Sequence, residues 1–97
     1  MTTKRFADYI GDTAPTLVEF CRPGKAEDEG VMSHLESALK DVANILTVDG
    51  TENPELMQAY KVGSYPTYIL FKDGQEVWRD SGCKGFDELR HMIEKFI

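Results

Sequence analysis

Val62-Gly63-Ser64-Tyr65-Pro66-Thr67-Tyr68-Ile69-Leu70-Phe71-Lys72-Asp73-Gly74 decides the fold. A helix-ending Val62-Gly63 leads through a proline turn into an apolar run of strand length, and Asp73-Gly74 supplies the positive φ angles of a tight hairpin cheaply. Gln75-Glu76-Val77-Trp78-Arg79 then reads as the returning strand, so this pair is expected to be antiparallel.

Working outward, Asn53 followed by Pro54 reads as a helix cap and first turn, with Leu56, Ala59 and Tyr60 as the buried stripe. Asn44 to Val48 is a strand before it. Val31, Met32, Leu35, Ala38, Leu39 and Val42 recur at helical spacing, with Ser33, Glu36, Ser37 and Lys40 on the other side. Thr16 to Phe20 is apolar at odd and even positions alike, the pattern of a central strand covered on both faces. Thr3 can cap a short first helix in which Phe6, Tyr9 and Ile10 share a face and which Gly11 ends. Gly85 precedes a last helix that carries Asp87 and Glu88 in its first turn and buries Phe86, Leu89, Ile93 and Phe96. Strand, helix, strand in one sheet implies a right-handed parallel crossover, and the class is α/β. The strand residues Tyr68, Phe71 and Trp78 read as core.

With 97 residues the chain is expected to form one domain, 1–97, with a core large enough to need no metal or disulfide staple. Eleven basic against 17 acidic residues, net charge −6, argue against nucleic acid and anionic membrane surfaces as partners. No segment reaches membrane-spanning length, and a cytoplasmic location is expected. His34 and His91 stand at no ligand spacing from Cys21 or Cys83, so no metal and no cofactor are expected. The run Glu27-Asp28-Glu29 lacks the alternation and glycine of a calcium loop.

Val18-Glu19-Phe20, Val48-Asp49, Glu52-Asn53-Pro54-Glu55-Leu56, Tyr60-Lys61-Val62, Tyr65-Pro66-Thr67, Leu70-Phe71-Lys72-Asp73-Gly74 and Gly82, in this order, resemble the thioredoxin family over almost the whole chain. From Val48 to Gly74 the chain is also similar to protein disulfide isomerase domains. The resemblance implies a thioredoxin-like fold with a central mixed four-stranded sheet flanked by helices and lacking the usual first strand. It implies a cis Tyr65-Pro66 bond facing the active-site turn, and a groove for extended peptide formed by Ser64, Tyr65, Pro66, Gly82 and Cys83. Matching Cys21-Arg22-Pro23-Gly24-Lys25 to the family's two-cysteine turn adds Pro23 and Gly24 to that surface, with Gly24 where the second thiol would stand.

That missing thiol is the functional question. A dithiol reduces a substrate because the second thiolate resolves the mixed disulfide intramolecularly, at high effective concentration. Cys21 alone could attack, exchange with glutathione, or trap a thiol protein; as a last strand residue with the turn deleted it would be structural. Arg22 and Lys25 favour its thiolate, whereas the acidic run and a late helix start oppose it. Glu19 lies two residues earlier, on the same strand face about 6–7 Å away. The resemblance makes it the family's buried proton-accepting acid, with the accompanying lysine replaced by Ile45; the plainer reading is a hydrogen-bonded glutamate. Cys83 could supply a nonlocal resolving thiol if its Cα came within about 7 Å of that of Cys21.

Two functions therefore stand open. One is a protein- or peptide-binding domain with a degenerate redox site and monothiol exchange through Cys21; the other is an active thiol-disulfide oxidoreductase that uses Cys21 with an external or Cys83 resolving thiol. An outer strand left open by the missing first strand suggests a homodimer through the sheet edge. Sedimentation that shows only monomer at high concentration would remove that suggestion.

Overall fold

Thr16–Cys21 forms β1, and its burial on both faces organises the rest. The computed structural model describes residues 5–22 and 29–97. Around β1 the chain places α1 (Phe6–Ile10), α2 (Glu29–Leu39), β2 (Asn44–Asp49), α3 (Pro54–Ala59), β3 (Thr67–Lys72), β4 (Gln75–Ser81) and α4 (Phe86–Glu94). The four strands make one mixed sheet in the order β2-β1-β3-β4, with β1 and β2 parallel and the other two pairs antiparallel. Asp73 and Gly74, at φ 53° and 83°, close the β3–β4 hairpin as their sequence requires.

Side-chain alternation along β1 divides the core. Leu17 packs with Met32, Leu35, Leu89 and Ile93 under α2 and α4. Val18 and Phe20 face the other way, toward Phe6 and Ile10 of α1 and Leu56 and Met57 of α3. Each fully buried leucine stabilises the fold by about 1.5–3 kcal/mol relative to leaving it in water. The polar Thr16 is buried without cost to its hydroxyl, which donates to the Tyr9 carbonyl at 2.7 Å and accepts from the Asn44 amide at 3.0 Å.

Several local expectations need correction. Arg5 occupies the N-cap of α1, its backbone N–H donating to the Asp8 carboxylate at 3.0 Å, while Thr3 lies outside the described residues. Val42 is 40% exposed because α2 ends at Leu39 and the turn carries Val42 off the buried stripe. In α3 Ala59 is exposed and Met57 takes its place against the core. Asn53 precedes Pro54 as expected, but its amide donates to the Asp49 carbonyl at 2.9 Å instead of capping the helix. Phe86 and Phe96 pack against the core only partly buried.

The end of α3 feeds the proline turn, and Arg79 on β4 ties it down. Its guanidinium donates to the Tyr60 carbonyl at 2.5 Å and the Lys61 carbonyl at 3.2 Å, where Lys61 has φ 56°. It also pairs with Glu76 at 2.9 Å. The hydrogen bond from Arg79, aided by its charge and opposed by desolvation, holds the Glu76 carboxyl below its ordinary value of 4.5. A carboxyl depressed in the folded state stabilises above its unfolded value, and that contribution disappears as the pH falls from 4.5 through the folded value. Because the Glu76 side chain is 39% exposed, solvent screening limits this contribution to roughly 0.5 kcal/mol. Arg79→Met removes the pair and both carbonyl contacts, and is expected to lower stability by about 1–2 kcal/mol at pH 7. Urea unfolding at pH 7 and pH 4 checks this: the variant should lose the Glu76 share of the acid dependence, and an unchanged midpoint at pH 7 would contradict it.

Candidate functional site

The ladders of β1, β3 and β4 align Phe20, Thr67 and Ser81 in one row. One position further along, Cys21 ends β1, Pro66 precedes β3 and Gly82 follows β4, and the Gly82 N–H donates to the Pro66 carbonyl at 3.0 Å. Register therefore brings three of the expected residues to one end of the sheet. Gly82 sits at φ 93°, a conformation that disfavours any side chain, and Cys83 follows it exposed. The Tyr65-Pro66 bond is cis. The Thr67 hydroxyl donates to the Ser64 carbonyl at 2.8 Å and lies 3.4 Å from the Ser64 hydroxyl, closing the turn. Ser64 is exposed, while Tyr65 and Pro66 are half-buried.

Tyr65 links this turn to the β1–β2 side. A Cβ built on Gly50 would come within 2.6 Å of the Tyr65 ring and 2.8 Å of the Met57 sulfur, so the glycine is the space in which the ring rests. Gly50 in turn donates its N–H to the Cys21 carbonyl at 2.9 Å. On the outer side the Arg22 guanidinium lies 5.7 Å from the Tyr65 ring centroid, a cation–π contact. Arg22, one of the two cations expected to favour the Cys21 thiolate, is thus engaged with the ring.

Cys21 is a half-buried strand residue whose thiol donates to the Val48 carbonyl at 3.7 Å. The described part of α2 begins at Glu29, eight positions after Cys21. Pro23 and Gly24, expected on the binding surface, lie outside the described residues, as does Lys25. Opposite Cys21 on β2 stands Asp49. The Thr51 hydroxyl donates to Asp49 at 2.6 Å and holds its carboxyl below the ordinary value; the Thr51 and Glu52 backbone N–H groups add to this against desolvation.

Glu19 is 3% exposed and accepts a hydrogen bond from the Tyr68 hydroxyl at 2.9 Å. The two are direct cross-strand partners on β1 and β3. Tyr68 is the residue that the sequence reading left as core only. Strand alternation puts it on the same sheet face as Glu19 once the register is known, and the register is what the sequence lacked. Gly50 was likewise unmarked, since nothing in Val48-Asp49-Gly50 announces the Tyr65 ring further down the chain. A separate groove of about 380 Å³, lined in part by Tyr9, Glu36, Lys40 and Asn44, opens at the far end of β2 and has no part in this site. Of the histidines, His34 stacks on Phe86 with centroids 3.8 Å apart.

The thioredoxin family model matches residues 1–95. A thioredoxin of Chlamydia trachomatis is 38% identical over 98 residues, covering 98% of this chain and 94% of that protein. A thioredoxin of Mycobacterium tuberculosis is 41% identical over 93 residues, covering 88% of this chain and 77% of the other. Among solved structures, a mutant thioredoxin from Halobacterium salinarum superposes with a TM-score of 0.83 at 30% identity, over 93% of this chain and 80% of that one.

The Gly50 contact makes its own prediction. Gly50→Ala is expected to cost about 1–3 kcal/mol, because the added methyl meets the Tyr65 ring. In a Tyr65→Ala background the same change should cost less, by at least about 0.5 kcal/mol of coupling. Equal costs in the two backgrounds, read by urea unfolding, would show that the ring does not occupy this space.

Proposed function

The chain belongs to the thioredoxin family, and from that premise we propose that it binds extended segments of partner proteins across the Ser64-Tyr65-Pro66 turn and does no dithiol chemistry. Tyr65, Pro66 and Gly82 hold the peptide, and Cys21, with Glu19 beneath it, is the thiol available for exchange. The observation that carries this reading is the shared end row of Cys21, Pro66 and Gly82, which aligns a thiol with a backbone edge.

The exchange step is a single one. The Cys21 thiolate attacks one sulfur of a partner disulfide, the S–S bond breaks, and the other sulfur leaves as a thiolate that takes up a proton. A mixed disulfide results. Release requires a second thiol from outside, glutathione or a thiol protein, because Gly24 stands where the family turn would supply one. Arg22 and the Tyr65 ring form the rim that a partner would meet.

A second reading is supported by Cys83, exposed and next to Gly82. In it Cys83 resolves the Cys21 mixed disulfide, two electrons pass to the partner, and an intramolecular disulfide is left behind. Reduction of insulin disulfides separates the two. The proposal expects wild type and Cys21→Ser to give the same background rate, with glutathione disulfide adding a single glutathione to wild type at Cys21. Turnover by wild type that both Cys21→Ser and Cys83→Ser abolish, with a Cys21–Cys83 disulfide found by mass spectrometry, would replace it with the second reading.

A further inference from the structure

The sheet ends at β2, and the hydrogen bonds around that strand show which of its groups face the open side. Asn44 and Gly50 give their N–H groups to the Pro15 and Cys21 carbonyls on the β1 side, at 2.9 Å each. Strand alternation turns Leu46 and Val48 toward β1 as well, and Ile45, Thr47 and Asp49 toward the open edge. Both ends of this edge are closed. The Asp49 carbonyl accepts from the Glu52 N–H at 3.2 Å and from the Asn53 amide at 2.9 Å, while the Ala43 N–H donates to the Leu39 carbonyl at 2.9 Å. Only Ile45 and Thr47 keep both N–H and C=O on that side without a partner among the described residues.

An unpaired strand edge is a template for another strand, and its free groups select the register. An antiparallel copy of β2 centred on Ile45 sets Thr47 against Ala43, whose N–H is already engaged. One centred on Thr47 sets Ile45 against Asp49, whose carbonyl is already engaged. Centred on Leu46, Ile45 of each copy faces Thr47 of the other, and every free N–H and C=O of the four residues finds a partner. The edge is complementary to itself in this one register.

The walls beside it agree. The groove of about 380 Å³ at the start of β2 lies between Tyr9 of α1 and Glu36 and Lys40 on the α2 side, so it opens along this edge between the two helical layers. Glu36 and Lys40 are exposed and stand four positions apart, one helical turn. A two-fold axis reverses their order in the second copy, which sets Lys40 of each chain toward Glu36 of the other. On the opposite face Leu46 and Val48 are half-buried against the α1 and α3 layer, and the same axis brings their counterparts alongside. A foreign strand can match the hydrogen bonds; the charge order and the apolar row match a second copy of this chain.

We propose that the outer edge of β2 is a self-association surface, where two copies pair β2 with β2 antiparallel about an axis at Leu46 and join their four-stranded sheets into one. The proposal does not depend on the chemistry of Cys21 or on peptide binding at the Tyr65-Pro66 turn.

Sedimentation equilibrium from about 1 μM to about 1 mM tests it, under reducing conditions and at about 0.15 M salt, which screens repulsion between the acidic chains beyond about 8 Å. Wild type is expected to rise from 11.0 kDa toward twice that mass and no further. Hydrogen exchange at the Ile45 and Thr47 amides should slow over the same concentration range. Thr47→Pro removes an outward N–H without touching a bond to β1, and is expected to weaken the dimer about tenfold or more. Should that variant fail to fold, the charges decide. Glu36→Lys and Lys40→Glu each set like charges together and should raise the dissociation constant about tenfold, and the double variant should return to within about threefold of wild type. Monomer alone at the highest concentration overturns the proposal, as do mass growth beyond the dimer, a dimer that Thr47→Pro leaves intact, or a double variant no tighter than either single one. Ile45 and Thr47 amides protected equally at every concentration overturn it too, because the edge is then filled from within one chain.

Discussion

The enclosure of β1 is the constraint on which the functional end depends. With β2 on one side, β3 on the other and a helical layer over each face, every side chain of the strand has a fixed direction. Val18 and Phe20 go to α1 and α3; Leu17, Glu19 and Cys21 go to the opposite face. A glutamate in such a place must be met by donors within the protein, and a buried acceptor stripped of its donor costs about 1–3 kcal/mol. The cross-strand phenol answers that demand, which makes Tyr68 a core residue by its ring and a polar partner by its hydroxyl.

The same ladders that bury Glu19 carry Cys21 to the turn. Phe20, Thr67 and Ser81 stand in one row, so Cys21, Pro66 and Gly82 are the next residues at that end of the sheet, the last two joined by a hydrogen bond. No loop has to fold back to assemble this row. The turn itself is held from behind: Arg79 fastens the last carbonyls of α3, and Tyr65 rests its ring over Gly50, whose N–H binds the Cys21 carbonyl. Helix end, turn, ring and strand end are thus linked by short contacts that reach the Cys21 backbone.

The architecture was legible because it is written in local periodicity. Asp73-Gly74 fixed a hairpin, Asn53-Pro54 a helix start, and Thr16–Phe20, apolar at odd and even positions alike, a central strand, each within a few residues. The contacts that define the site join distant positions. Glu19 and Tyr68 are 49 residues apart, and periodicity tells which face a side chain takes but not which neighbour it finds there. The errors at Val42, Ala59 and Asn53 have the same origin: each residue has the type its pattern wants, and tertiary contacts, an early helix end or the Asp49 carbonyl decide otherwise. Cys21 was ambiguous between strand and turn because the hydrophobic run ends at Phe20; pairing with Asp49 extends the strand by one residue.

That one residue matters chemically. A thiolate is favoured by a helix N-terminus or an adjacent cation, and the helical field falls away within the first turn. Here α2 starts at Glu29, Arg22 lies over the Tyr65 ring, Asp49 is the register partner of Cys21 on β2, and the thiol donates to the Val48 carbonyl. Nucleophilicity rises with basicity, so a thiolate formed rarely reacts well when formed. If the proposed binding holds, a partner retained at the Tyr65-Pro66 edge meets the thiol at a raised effective concentration. On the proposed reading binding comes before the chemistry, the reverse of the order expected of a reactive dithiol.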